Sequence, residues 1–287
     1  MSTVDSSAIT CRGLSKEYGL VRALDAVDVV IRQGTVHALV GQNGAGKSTC
    51  LGLMAGRQRP TEGSIEVFGE EVELDSPRDG IRLGITSIYQ ELTIVPTLST
   101  QANLYLGSEV SRFGILSERR MRRTLRDLNE RLGVSIPPDI PAGRLSVADQ
   151  QMLEIMRALR ADARVILLDE PTAALSLTEA QSLFRIMKEL RIRGTTMVLV
   201  SHNLEDVLEI ADDITVFRDG KVALPATACV RDKQQLVTAM LGPSGLEPGE
   251  VALKDHVTPH RVPRSKELAT GRRTDRCWRG RGHLFFV

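Results

Sequence analysis

The segment Gly41-Gln-Asn-Gly-Ala-Gly-Lys-Ser-Thr49 places three glycines, a lysine and two hydroxyls in the order GxxxxGK[ST]. Glycine lets successive backbone N–H groups turn towards one point. Gly41, Gly44 and Gly46, with Asn43 among them, therefore predict an anion nest, and the N-terminus of a following helix adds its positive dipole end. Lys47 brings a point charge for the outer oxygens of a phosphate chain. Ser48, with Thr49 beside it, brings a hydroxyl suited to Mg²⁺. An ordinary glycine-rich turn needs neither the lysine nor the hydroxyl, so the chemistry indicated is polyphosphate binding.

A second group complements the first. Val165-Ile-Leu-Leu-Asp-Glu170 ends an apolar run in two carboxylates. A buried strand would deliver Asp169 at its C-terminal end, where α/β sheets bind ligands, to hold Mg²⁺ through water. Glu170, one residue on and turned elsewhere, suits polarisation of an attacking water. Gln90 follows the β-like run Ile85–Tyr89, and its amide can touch Mg²⁺ or water. His202, in Ser201-His-Asn after the run Thr196–Val200, can reach the terminal phosphate from a neighbouring strand end. Taken singly, a glutamine is usually a surface residue and a histidine usually structural.

These residues need a scaffold that brings strand ends together. Thr35–Val40, Val165–Leu168 and Thr196–Val200 are apolar runs suited to strands buried on both faces. Helical patterns over Ala148–Arg160 and Thr178–Leu190 separate them, which predicts a parallel sheet covered on both sides. Residues 9–39 read as short strands with turns. Asp213–Arg218 before Asp219-Gly220 predicts a strand entering a hairpin, and 117–132 a surface helix. In Leu145-Ser-Val-Ala-Asp-Gln-Gln151, Ser146 predicts an N-cap, with Asp149 completing a capping-box-like start. Met152, Ile155, Met156 and Leu159 form its core-facing stripe.

Composition narrows the function classes. The chain has 287 residues with 37 Lys and Arg against 36 Asp and Glu, so no global polycation exists to hold nucleic acid. Aromatics at 3% leave no base-stacking platform. Four scattered cysteines without a CxxC pair argue against a zinc ribbon or disulfide framework. The start Met-Ser-Thr-Val-Asp lacks the features of a secretion signal, and no run approaches the ~18 apolar residues of a membrane span. The expectation is a cytoplasmic protein. Residues 1–241 carry 28 basic and 31 acidic side chains, whereas residues 242–287 carry 9 and 5. That shift, with the linker-like Gly242–Gly249, predicts a nucleotide-binding domain over 1–241 and a basic, disordered tail or remnant over 242–287.

The glycine-rich loop, the glutamine loop, the Leu-Ser helix start, Leu-Leu-Asp-Glu-Pro-Thr-Ala-Ala-Leu and the histidine loop occur in an order and spacing that resembles the ATPase subunit of ABC transporters. The resemblance covers residues 8–241. It implies ATP and Mg²⁺ as cofactors and a P-loop NTPase fold with a RecA-like core, an antiparallel β subdomain and a helical subdomain carrying the signature motif. It also implies that Tyr18 stacks on adenine and that Ser146, in the signature, faces the nucleotide of a second ATPase unit. Val36-His-Ala-Leu, Tyr-Gln-Glu-Leu at 89–92 and Gln-Gln-Met-Leu-Glu-Ile at 150–155 resemble the first half of carbohydrate importers of the ribose, galactose and xylose type. Such ATPases usually hold two halves in one chain, so the likeness ending near Leu241-Gly242 suggests a truncated or frameshifted reading frame. The implied partners are an integral-membrane permease, a second ATPase half and, indirectly, a sugar-binding protein. The implied location is the inner face of the cell membrane.

The signature departs from LSGGQ at Val147, Ala148 and Asp149. Asp149 stands where glutamine is usual. At ~8 Å from a phosphate and an effective dielectric of ~20, one charge pair repels by about 2 kcal/mol. Two other readings remain open. One is an ABC ATPase acting on ribosomes or DNA, for which a strongly charged insertion is expected and none is seen. The other is a nucleotide-binding remnant or regulator without efficient turnover, favoured by the missing second half and opposed by intact Lys47, Asp169, Glu170 and His202.

Overall fold

The computed structural model describes residues 6–106, 117–227 and 232–242. The expectation of a basic tail over 242–287 falls, beyond Gly242, outside the described residues. The chain begins with β1 (Ser7–Tyr18) and β2 (Val21–Arg32), a long antiparallel pair whose turn is Gly19-Leu20. These are two strands of 12 residues each, where the sequence predicts several short ones. The cause is a set of register shifts, one between Cys11 and Leu14. Gly13 sits there at φ +56° and donates its N–H to Asp28 Oδ1 at 2.8 Å, so the apolar alternation is broken while the ladder continues.

Next come β3 (Val36–Gly41), α1 (Lys47–Met54), β4 (Glu62–Val67) and β5 (Glu70–Val72). The antiparallel sheet has the order β2-β1-β4-β5. After α2 (Pro77–Arg82) and β6 (Ile85–Ile88), the helices α3 (Thr100–Leu104), α4 (Glu118–Leu132) and α5 (Val147–Arg160) form a helical region. The chain then alternates through β7 (Val165–Asp169), α6 (Leu177–Ile192), β8 (Thr196–Val200), α7 (Leu204–Ile210), β9 (Asp213–Arg218), β10 (Lys221–Thr227) and α8 (Lys233–Leu241). The second sheet runs β10-β9-β3-β8-β7-β6. Its strands are parallel except for the hairpin partner β10. This is the α/β architecture that the alternating strands and helices predict, with the antiparallel subdomain that the family resemblance implies.

All of β3 and β8 is buried, which explains their unbroken apolar runs. One face of the parallel sheet packs on α5 and α6, and the same core continues through α3 to α4. The other packs, with α1, against the antiparallel sheet. A smaller core lies under α7 and α8. In α4, Met121, Leu125, Leu128 and Leu132 are the buried stripe, each contributing about 1.5–3 kcal/mol on burial, and Gly133 ends the helix at φ +65°. Cys11 and Cys50, distant in sequence, share the core between the antiparallel sheet and α1. The Cys50 thiol and burial push the Cys11 thiol up, and both are free cysteines.

Register decides what meets at the sheet edge. Leu39 of β3 is level with Val200 of β8, Val200 with Asp169 of β7, and Leu168 of β7 with Ile88 of β6. The residues that follow these strand ends therefore converge on one crevice.

Candidate functional site

The glycine-rich loop leaves β3 and enters α1 in a conformation that only glycine holds cheaply. Gly41, Gly44 and Gly46 have φ of +155°, +80° and +100°. At Gly46 a Cβ would lie 2.6 Å from Leu24 Cδ2 and 2.7 Å from the Ala23 carbonyl oxygen, so β2 leaves no room for a side chain. At Gly44 a Cβ would meet nothing within 4 Å, and Asn43 beside it is exposed. The Ala45 N–H closes the turn on the Gln42 carbonyl at 3.2 Å.

Lys47 opens α1 with its side chain folded back over the loop. Its Nζ donates to the Gly41 carbonyl at 2.8 Å and the Gln42 carbonyl at 2.9 Å. An ammonium has three donors, so one remains for a ligand. Burial lowers the Lys47 pKa, while the charges of Glu170 and Asp169 pull it back up. Ser48 is exposed and its Oγ stands 3.5 Å from Asp169 Oδ1. Thr49 follows, half-buried, in the first turn.

Asp169 closes β7, and its carboxyl pKa is raised by burial and by the neighbouring Glu170 charge; Ser48, Arg57 and Lys47 oppose this. Glu170 adopts φ +51°, a left-handed backbone that is uncommon for a residue with a side chain. Its N–H is held by the Val200 carbonyl at 2.9 Å, so β8 fixes the turn. Glu170 Oε2 lies 2.6 Å from His202 Nδ1. A cavity of about 420 Å³ is lined by Gln90, Glu170, Tyr89, Val147 and Gln151, among others. The structure therefore brings Lys47, Ser48, Asp169, Glu170, His202 and Gln90 to one crevice.

Two residues singled out from the sequence lie elsewhere. Tyr18 ends β1, half-exposed, with its hydroxyl donating to Gln58 Oε1 and the Lys16 ammonium 5.4 Å from its ring centroid. Ser146 caps α5 as predicted, accepting from the Asp149 N–H at 3.1 Å. Its hydroxyl then donates to Asp149 Oδ2 at 2.9 Å, so the carboxylate takes the side chain and not the backbone N–H of a full capping box. Ser146 and Asp149 line a separate groove of about 370 Å³ between α5 and α6.

Contacts that the sequence does not reveal support the crevice. Arg57, just past α1, lies 4.8 Å above the Tyr89 ring and adds positive charge near Asp169. Thr172, two residues after Glu170, donates to Asp206 of α7 at 2.7 Å and ties that turn to the helix following His202. Neither pair has a fixed spacing that a motif could carry.

A family model described as ABC transporter matches residues 24–173. The chain belongs to the ABC transporter family. It is 43% identical over 251 residues to a ribose import ATP-binding protein of Rubrobacter xylanophilus, covering 85% of this chain and 50% of that one. It is 43% identical over 233 residues to an arabinose import ATP-binding protein of Azospirillum brasilense, covering 81% and 45%. The chain thus spans about half the length of these curated relatives. Among solved structures, a nucleotide-free ATP-binding cassette from an ABC transporter superposes with a TM-score of 0.72 at 23% identity, over 83% of this chain and 96% of that one. Another ATP-binding cassette of an ABC transporter gives 0.73 at 25% identity, over 82% and 99%. The fold over that part of the chain is that of an ATP-binding cassette.

Proposed function

We propose that this cassette binds and hydrolyses ATP to energise sugar import through a membrane permease at the inner face of the cell membrane. The observation that carries the hydrolytic reading is the meeting of a lysine-bearing anion nest, two carboxylates and a histidine at the ends of β3, β7 and β8. The sugar is suggested by the relatives, which are named for ribose and arabinose import. Among the described residues no helix is long and apolar enough to cross a membrane, so the reading assigns the transport path to a partner.

Each residue has a role that its position supports. The N–H groups of residues 43, 44, 46 and 47 donate to phosphate oxygens, and the third Lys47 donor reaches the outer phosphates. Mg²⁺ fits the hard oxygen pair of Ser48 Oγ and Asp169 Oδ1, 3.5 Å apart. Among the described residues no group of three or more His, Cys, Asp and Glu could hold a metal ion, and phosphate oxygens would supply further hard ligands. The ion supplies charge neutralisation on the phosphate chain. Asp169, whose charge burial disfavours, gains a counter-charge there. Glu170 accepts the proton of the attacking water, and Gln90 orients that water. His202 is held by Glu170 through Nδ1 at 2.6 Å, which leaves Nε2 for a phosphate oxygen. Tyr18, 47% exposed, offers its ring to adenine, and Ser146 faces the nucleotide of a second ATPase half.

Reconstitution tests the assignment. Vesicles holding the cognate permease and this chain, with its second half supplied, are expected to take up sugar only with MgATP, and uptake should stop with Glu170→Gln. Uptake that proceeds equally without the chain or with Glu170→Gln refutes it.

A further inference from the structure

The proposed roles leave one buried charge unused. Glu154, in the middle of α5, is 4% exposed. Its Oε1 accepts two hydrogen bonds, from the Thr93 N–H at 2.5 Å and the Thr93 hydroxyl at 2.7 Å. A carboxylate in a protein interior is costly, and an apolar side chain fills such a place more cheaply. Both donors come from a single loop residue, three positions after Gln90. The charge therefore serves to hold that residue.

Arg157, one turn along the same helix, reinforces the hold. Its Nη1 donates to Thr93 Oγ1 at 2.9 Å and its Nε to the Asn103 carbonyl at 3.1 Å. Buried Asn103 in turn accepts from the Val95 N–H at 2.7 Å and donates to the Val95 carbonyl at 2.9 Å. Segment 93–95 is thus fixed from two sides by side chains. The opposite end of α5 meets the same crevice: Val147 and Gln151 line the cavity with Gln90 and Glu170. Val147, Gln151 and Glu154 are spaced i, i+4 and i+7, so they form one stripe of the helix.

We propose that Glu154 is a positioning residue for hydrolysis, acting through Thr93 to set Gln90 in the crevice beside Glu170. The inference rests on the hydrolytic reading given above. Glu154 is buried and does not line the crevice cavity. Its latch makes the direction of the Gln90 loop depend on α5, the helix that begins at Ser146. Loss of the latch leaves the anion nest intact and frees Gln90, so it lowers turnover and spares nucleotide affinity.

The test uses the full chain with its permease and second half. In Glu154→Ala and Thr93→Val, kcat for ATP is expected to fall ~10–100-fold while KM stays within ~3-fold. Thr93→Ser, which keeps the hydroxyl, is expected to restore kcat. In a double-mutant cycle, Gln90→Ala and Glu154→Ala together should cost no more than Gln90→Ala alone. Hydrogen exchange on the same proteins needs no turnover: residues 90–95 should exchange faster in Glu154→Ala, with α5 protected as in the native chain. Losses that multiply in the double variant, a rise in KM in place of a fall in kcat, or unchanged exchange at 90–95 overturn the proposal. Full activity of Glu154→Ala beside an inactive Glu170→Gln overturns the latch alone, whereas full activity of both overturns the hydrolytic reading.

Discussion

Replacing two glycines of the nest with alanine should give unequal effects. Gly46 has φ +100°, and a Cβ there would sit 2.6 Å from Leu24 Cδ2 and 2.7 Å from the Ala23 carbonyl oxygen. Gly44 has φ +80° and a Cβ there meets nothing within 4 Å. Both variants incur the left-handed backbone cost of ~1 kcal/mol, but only Gly46→Ala adds overlap with a carbonyl that cannot yield, for a total of ~3 kcal/mol. In a domain of this size each kcal/mol lowers Tm by ~2–4 °C, so Gly44→Ala should lose ~2–4 °C and Gly46→Ala ~6–12 °C. If the loop escapes the overlap by moving, the same energy appears as an affinity loss of ~100-fold or more for nucleotide. Differential scanning calorimetry and titration with a fluorescent ATP analogue read the two channels together. A Gly46→Ala protein with native Tm and native affinity, or a Gly44→Ala protein that suffers more, refutes the packing of β2 on the loop as the reason for glycine.

Three further outcomes follow from the site and its surroundings. Glu170→Gln should retain ATP binding and lose ~10²–10⁴ in turnover, read by phosphate release in the assembled transporter; native turnover removes Glu170 as base. His37, in β3, is buried with Nε2 2.8 Å from Thr215 Oγ1 and, among the described residues, no partner for Nδ1, and burial lowers its pKa to about 4 from 6.5. Because the folded value lies below the unfolded one, its stabilising contribution is present above pH 6.5 and is lost as pH falls towards 4, a change of about 3 kcal/mol; urea titrations should show this slope and lose it in His37→Gln. Asp149→Gln should lower the stability of α5 by ~0.3–1 kcal/mol through its dipole. It should also raise turnover of a homodimer more than that of an assembly whose second half carries a regular signature, and equal effects would count against the phosphate clash.

The crevice residues are legible in the sequence because backbone chemistry dictates their types: glycines at positive φ, a lysine and hydroxyl at a helix start, and carboxylates after a fully buried strand. The central strands are legible for a related reason, since β3 and β8, buried along their whole length, must be apolar throughout. The antiparallel sheet is less so. Register shifts in β1 interrupt its alternation, and two strands of 12 residues look like several short ones. Long-range side-chain pairs leave no trace in spacing. Thr93 and Glu154 are 61 positions apart, Thr172 and Asp206 are 34 apart, and each residue alone reads as an ordinary exposed polar side chain. The cap at Ser146 was readable as a cap, yet how Asp149 shares its hydrogen bonds depends on side-chain geometry.

The central claim is that the loop at 41–49 and the carboxylate at 169 form one Mg²⁺-nucleotide site. Isothermal titration of the full chain with ATP, with and without Mg²⁺, measures it most directly. One nucleotide per chain is expected, with binding lost in Lys47→Ala and a Mg²⁺ dependence that disappears in both Ser48→Ala and Asp169→Asn. Binding that survives Lys47→Ala, or a Mg²⁺ dependence unchanged by both of the other variants, contradicts it.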